Sequence, residues 1–371
     1  MRAHETALEF RGLDMNASNE DTIDKPKLRI LAVSQLWQGA NDYAFVRAFR
    51  RAGHSVQVVP DRDYLPKWSG LGLKVLKRAM TDIMAREYNA MLLERARHFR
   101  PDLFFAFKGP HVFPETVQAI RSGGAVAIQF YPDTGFKSHS RHLARAAVKY
   151  DWFFSTKPAH TQHFKDEFAY SNVSFLPHAF DPEVHRPTEL SDRDSEDYSC
   201  DIGFAGNPSA KKYKTVAAVV EALPDAKIKI WGGKRWGSSS GTAAPKFQGS
   251  TVLGVEYAKA IAASKINLGL LYEGDPDGAP DVVTARTFEI PAAGGFMLHE
   301  RTDEAMDYFE DGKECVFFDD VNDLVDKIRY YLTNETERLK IAAAGRERCL
   351  RSGYSVDDRV RSVLKKYYEI K

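Results

Sequence analysis

Two ionisable side chains, Arg286 and Glu289, stand inside an apolar segment that runs from residue 279 to 300 with the sequence APDVVTARTFEIPAAGGFMLHE. If a helix begins near Val282, its free backbone amides and its positive dipole end form an anion site, and the Arg286 guanidinium can add a bidentate contact to phosphate oxygens. Glu289 lies three positions later near the same face, where a carboxylate can accept hydrogen bonds from paired sugar hydroxyls. The pattern therefore predicts a binding site for a phosphate beside a sugar diol.

An ordinary ion pair between Arg286 and Glu289 on a solvated helix surface is the alternative explanation of this spacing. The apolar neighbours Phe288, Ile290 and Pro291 indicate partial burial of the helix instead. We therefore favour a binding site over a surface ion pair.

The elements that must position this segment follow an alternating pattern along the whole chain. Short apolar runs rich in Val, Ile and Phe, separated by helical segments, are typical of a parallel sheet covered on both faces. Residues 27–180 and 200–355 both have this pattern, which predicts an α/β protein with two Rossmann-like domains that face each other across a cleft. Residues 1–26 form a polar extension, 181–199 a charged, proline-containing linker, and 356–371 a C-terminal helix that is expected to pack back on the N-terminal domain.

Function is expected at the turns that follow the strands, because ligands of open parallel sheets bind beyond the carboxyl ends of the strands. One such turn, GFAGNPSAKK, contains Gly206, Asn207, Lys211 and Lys212. Glycine lets a pyrophosphate approach the backbone, and a lysine can neutralise it. Solvated surface lysines are the alternative.

The spacing Asp281-x7-Glu289, followed by IPAAGGFMLHE, resembles the acidic-x7-Glu signature of retaining glycosyltransferases of the GT-B fold, with Asp where Glu is usual. Residues 264–318 resemble more closely the C-terminal domain of the spore-maturation-protein-like branch of the glycosyl transferases group 1. The resemblance extends over about Cys200 to Tyr368 and is only architectural before that. It implies that Glu289 contacts the nucleotide ribose, that the helix N-terminus and a basic residue bind the diphosphate, and that Asp281 faces the donor sugar.

Further donor-binding residues follow from the same resemblance. It implies that Gly39, in the loop VSQLWQGAND after the first strand, brings the backbone close to the donor phosphate. It also places the nucleotide base near Trp231 in IWGGKRWG, where the ring would either contact the base or belong to the core. Thr284 completes the predicted set.

Two candidate catalytic residues follow strands of the first domain. Asp133 comes after the strand in FYPDTG, and His111 follows DLFFAF. Either side chain would face the cleft, where it could act as a general base or orient an acceptor hydroxyl. The alternatives are that Asp133 shapes a turn and that His111 caps a helix.

Composition excludes several classes of partner. Lys plus Arg is 52 and Asp plus Glu is 51, so the net charge of +1 predicts no nucleic-acid partner. The three cysteines are far apart and odd in number, which favours a reducing compartment, and no apolar run reaches the length of a membrane span. We expect a cytoplasmic protein.

No cofactor and no metal ion are predicted. The histidines, cysteines and carboxylates have no recognised metal-ligand spacing, so the helix end, Arg286 and the lysines are expected to stabilise the leaving-group charge themselves. The sequence has no Gly-x-Gly-x-x-Gly pattern after the first strand of either domain, which argues against a dinucleotide-dependent redox enzyme.

These patterns and the resemblance together predict a metal-independent glycosyltransferase of hexosyltransferase type, and the resemblance alone implies that it is retaining. Its donor would be a nucleotide sugar such as a UDP-sugar, and its acceptor a glycan, a lipid-linked molecule or a small molecule. The basic, amphipathic segment WSGLGLKVLKRAM could contact the inner face of a membrane or simply pack on the sheet of its domain. A nucleotide-sugar epimerase of the same fold, a non-catalytic nucleotide-sugar-binding protein and an inactive relative are the alternatives.

Overall fold

The computed structural model describes residues 26–37, 39–60, 74–135, 142–238, 241–274 and 280–371, without the side chains of 74–79. The predicted polar extension up to residue 25 lies outside these residues. So do most of the side chains of the segment WSGLGLKVLKRAM, to which we assigned a possible membrane contact. Among the described residues, no helix combines the length and the apolar character that a bilayer crossing requires.

The N-terminal half forms a sheet of six parallel strands in the order β2-β1-β3-β4-β5-β6. Its strands are buried on both faces by helices, as the continuous apolar runs predict. The elements are β1 Arg29–Val33, α1 Asn41–Arg51, β2 Ser55–Val58, α2 Lys74–Phe99, β3 Leu103–Phe107, α3 Pro114–Ser122, β4 Val126–Tyr131, α4 Leu143–Ala147, β5 Trp152–Ser155, α5 Ala159–Phe168 and β6 Val173–Phe175.

A second sheet of five parallel strands, in the order β11-β10-β9-β7-β8, follows in the C-terminal half. The predicted α/β fold with two Rossmann-like domains is confirmed. The elements are α6 Asp192–Tyr198, β7 Cys200–Ala205, α7 Ala210–Ala222, β8 Ile228–Trp231, α8 Val255–Ala263, β9 Ser264–Gly269, α9 Ala285–Ala292, β10 Met297–Glu300, α10 Asp303–Tyr308, β11 Val316–Phe318, α11 Val321–Thr333, α12 Glu335–Arg351 and α13 Val356–Ile370.

One local prediction was wrong, because the helix of residues 279–300 begins at Ala285 rather than near Val282. The linker contains the short helix α6, capped by Ser191, which the sequence analysis did not predict.

The last helix, α13, packs on the N-terminal domain. Val356, Val360 and Val363 belong to the same apolar core cluster as residues of β1, β3 and α1. Arg359 on the same helix is 4% exposed, and its guanidinium donates hydrogen bonds to the backbone oxygens of Pro177, His178 and Gly353. The helix thereby holds the segment where the chain leaves the first domain.

Replacement of Arg359 by Met should lower the free energy of unfolding by on the order of 3 kcal/mol, because it leaves several buried carbonyl oxygens without a donor. Urea unfolding followed by tryptophan fluorescence measures the change. Arg361→Met on the same helix is the matched control, since the Arg361 side chain is 62% exposed. Equal stabilities of the two variants would contradict this account of α13.

Candidate functional site

The start of α9 is fixed by a buried hydrogen-bond chain. Thr284 is the N-cap residue, and its backbone N–H donates to Oγ1 of Thr287 at 3.0 Å. His299 donates from Nδ1 to the Glu300 carbonyl, so its Nε2 accepts the Thr287 hydroxyl proton over 2.9 Å. Burial lowers the pKa of His299 to about 4, which keeps the ring neutral. Sequence reasoning missed His299, because only the fold brings β10 beneath α9.

Arg286 lies in the first turn of α9, and not all of its guanidinium donors have a hydrogen-bond partner among the described residues. One guanidinium nitrogen donates to the Leu270 carbonyl at 2.8 Å, and the group lies 5.5 Å from the centre of the Phe204 ring. Its Nε is buried and, among the described residues, has no hydrogen-bond partner. A β-carbon on Gly206 would lie 3.0 Å from Nη1, so the glycine provides the space for this side chain.

Lys212, on the first turn of α7, is a buried cation that interacts electrostatically with the partly buried Arg286. Lys212 is 6% exposed, and no carboxylate within the described ranges forms an ion pair with its Nζ. Burial and, to a smaller extent, the Arg286 charge lower the pKa of Lys212 to about 8, against the opposing effect of nearby carboxylates. Lys212 is therefore mostly charged at neutral pH, whereas the neighbouring Lys211 is half-exposed and ion-paired with Glu300.

Glu289 lies one turn deeper on α9 and is 6% exposed. Burial raises the pKa of Glu289 to about 7, while Arg286 lowers it and Asp181 raises it. In the part of the chain that the structure describes, Arg286 and Glu289 form no ion pair with each other. The surface ion pair that we considered as an alternative is therefore absent; Glu289 is buried and Arg286 is partly buried.

The two domains meet at Asp281, just ahead of α9. Lys157, which follows β5 of the N-terminal domain, places its Nζ 2.5 Å from an Asp281 oxygen, and the two side chains are 4% and 12% exposed. Gly39 also touches the second domain, because a β-carbon on it would lie 2.6 Å from the Gly254 nitrogen. Sequence reasoning missed Lys157, although its place directly after a strand was the available signal.

The predicted catalytic residues lie at the edge of the first sheet. Asp133 forms an ion pair of 2.6 Å with Lys108, whose backbone has the rare φ of +60°. His160 is buried and holds this loop by donating from Nε2 to the Thr134 carbonyl at 2.9 Å. His111 is half-buried, and its carbonyl accepts a hydrogen bond from Asn89.

His178 lies near several of these cations. Burial lowers its pKa well below the usual value, and the charges of Lys157, Arg286, Lys108 and Arg359 lower it further. A neutral imidazole at this position leaves the positive charge of the cleft to the lysine and arginine side chains.

The remaining predicted residues have different surroundings. Trp231 is 3% exposed and belongs to a core cluster of the second domain, which favours the alternative that its ring is part of the core. The Gly206 N–H is already bonded to the Trp231 carbonyl. Asn207 is exposed beside Gly233. Among the described residues, no group of three side chains is arranged to hold a metal ion.

Comparison with known proteins agrees with this architecture. Residues 212–365 match the Glycosyl transferase-like family. No curated protein matches the chain. Among solved structures, a glycosyltransferase from Rickettsia africae is similar with a TM-score of 0.63 at 12% identity, covering 93% of this chain and 99% of its own.

Two further solved structures have the same fold. Sucrose-phosphate synthase from Thermosynechococcus elongatus has a TM-score of 0.66 at 11% identity, with 93% of this chain and all of that one covered. HepE from Anabaena, solved with UDP and glucose, has a TM-score of 0.56 at 14% identity, with 92% of this chain and 100% of that one covered. At these identities the likeness establishes the fold. The family match over residues 212–365 agrees with the resemblance found in the sequence, and the solved structures show that the chain has the GT-B fold.

Replacement of Glu289 by Gln should stabilise the protein in a pH-dependent way. The native carboxyl keeps its proton up to about pH 7, whereas the unfolded one loses it near 4.5, so the contribution of Glu289 to stability falls as the pH rises through this window. At pH 8 the free energy of unfolding of the variant should exceed that of the parent by on the order of 3 kcal/mol. This difference should shrink towards zero near pH 4.5.

Urea unfolding at pH 4.5 and pH 8 measures this difference. Glu347→Gln, on a side chain that is 55% exposed, is the control and should change stability little at either pH. A stability difference for Glu289→Gln that is the same at both pH values would contradict the buried, proton-binding carboxyl.

Proposed function

We propose that the protein transfers a sugar from a nucleotide diphosphate sugar to an acceptor hydroxyl. The observation that supports this most strongly is the proximity of two cations, the buried Lys212 on α7 and the partly buried Arg286 in the first turn of α9. A buried cation without a partner is unfavourable, so a site of this kind favours an anionic ligand. A diphosphate with two negative charges matches the two cations.

The diphosphate would bind where three kinds of donor converge. The first turn of α9 supplies unpaired backbone amides and the positive end of the helix dipole. Arg286 supplies the unpartnered Nε, and Lys212 supplies its ammonium group. Preorganised donors of this kind stabilise the charge that develops on the leaving nucleotide, commonly by several kcal/mol. They can do so without a metal ion, and we propose a metal-independent reaction.

The sugars of the donor would lie on either side of the diphosphate. Glu289 is placed one helical turn beyond Arg286, where its carboxylate can accept hydrogen bonds from the ribose hydroxyls. Asp281 precedes the helix and, together with Lys157 from the opposite domain, would face the transferred sugar. The Asp281-x7-Glu289 spacing resembles that of retaining enzymes, and we propose retention of the anomeric configuration.

The acceptor would enter from the N-terminal domain. Asp133, held in place by Lys108, would orient or deprotonate the acceptor hydroxyl, and His111 is the second candidate for this role. A glycan or a lipid-linked acceptor in a cytoplasmic biosynthetic pathway agrees with this arrangement. HepE, which was solved with UDP and glucose, supports a UDP-sugar as the donor.

Replacement of Lys212 or Arg286 by Met should weaken the binding of UDP, GDP and dTDP by about tenfold or more, because each change removes one charge from the diphosphate site. Isothermal titration calorimetry measures the affinities. Lys211→Met is the matched control, because Lys211 is paired with Glu300 and should be dispensable. If the Lys212 and Arg286 variants bind as tightly as the parent, the diphosphate lies elsewhere.

Incubation of the protein with a panel of sugar nucleotides, without acceptor, should release the nucleotide slowly, and EDTA should leave this rate unchanged. Chromatography measures the nucleotide, and NMR spectroscopy of the first-formed free sugar reports whether the anomeric configuration is retained. An epimerase would instead produce a new sugar nucleotide. Tight binding of a sugar nucleotide with no turnover of any kind would favour a non-catalytic binding protein.

A further inference from the structure

His185 lies in the segment that joins the two domains, and its hydrogen bonds define its protonation. The residue is 7% exposed, and its Nδ1 accepts a hydrogen bond from the backbone N–H of Asp181 at 3.0 Å. A ring nitrogen that accepts cannot bear a proton, so in the neutral ring the proton is on Nε2. Burial and the nearby Arg47 charge lower the pKa of His185 to about 3, and the ring is therefore neutral.

The protonated nitrogen of this ring faces the donor site. Nε2 of His185 lies 3.7 Å from Oε1 of Glu289, and both side chains are more than nine-tenths buried. The distance is longer than a hydrogen bond, as catalytic and binding contacts often are before a ligand is bound. Among the described residues, no closer polar side chain contacts this carboxylate.

The segment around His185 is anchored to the N-terminal domain. The Arg47 guanidinium on α1 forms an ion pair with Asp181, whose side chain is 7% exposed. The backbone N–H of His185 donates to the Asp181 carbonyl at 2.8 Å, which closes a turn around the ring. The imidazole is therefore held by the interdomain segment rather than by α9.

We propose that His185 is a positioning residue, whose Nε2–H holds one oxygen of Glu289 so that the carboxylate presents its other oxygen to the ribose hydroxyls. This inference rests on the proposed role of Glu289 as the ribose ligand. It assigns a function to the interdomain segment, which would orient the donor as well as connect the domains.

A purely structural role is the alternative, because the ring also packs edge-on against Tyr257 with 6.0 Å between the ring centres. Two variants separate the roles. In His185→Asn the side-chain oxygen can still accept the Asp181 N–H, but the amide is too short to reach Glu289. In His185→Gln the amide nitrogen stands near the position of Nε2 and can donate to the carboxylate.

The test compares the affinities for UDP, GDP and ADP with those for their 2′,3′-dideoxy forms by calorimetry, using the full chain. The parent should bind its preferred ribonucleotide about tenfold more tightly than the dideoxy form. His185→Asn should lose this preference and bind the dideoxy nucleotide as the parent does, which also shows that it is folded. His185→Gln should keep most of the preference, and Glu289→Ala should abolish it.

Each other outcome overturns the inference in a recognisable way. If His185→Asn keeps the preference while Glu289→Ala loses it, His185 does not position the carboxylate, and the ribose role of Glu289 stands. If His185→Asn weakens both nucleotides equally, the role of the ring is structural. If the parent itself shows no preference for the ribonucleotide, the ribose role of Glu289 fails and the inference fails with it.

Discussion

Two neighbouring positive charges, on the buried Lys212 and the partly buried Arg286, are the constraint on which the rest of the site depends. Placing cations in a protein interior is unfavourable unless they are paired, and the lowered pKa of Lys212 reflects this. The surrounding residues make room for them and fix them: Gly206 leaves space for the guanidinium, and the Thr287–His299 bond holds the start of the helix. A bound diphosphate would relieve the unfavourable charge.

Residues of both domains, and not of the second alone, line the cleft. Lys157 extends from the first sheet to Asp281 of the second domain, and Gly39 approaches the backbone of Gly254. Helix α13, which follows the second domain in the sequence, packs on the core of the first domain. A donor bound by the second domain would therefore lie against side chains of the first, as transfer between two substrates requires.

Much of this architecture was predictable from the sequence, because short apolar strands alternate regularly with helical segments along the chain. The positions of Arg286 and Glu289 were also predictable, since three residues on a helix correspond to about one turn. The partners of Lys157 and His185 were not predictable, because each of these residues meets its partner across more than a hundred residues of chain. The type of residue 231 alone left both a base contact and a core position open, and the 3% exposure of Trp231 in the folded chain favours the core.

A crystal structure of the protein with its most tightly bound nucleoside diphosphate tests the central claim most directly. The account predicts both phosphates at the start of α9, within hydrogen-bonding distance of Lys212 Nζ and the Arg286 guanidinium. It also predicts hydrogen bonds from the ribose hydroxyls to the Glu289 carboxylate. A diphosphate bound away from that helix end, with no anion in contact with Lys212 or Arg286, would contradict it.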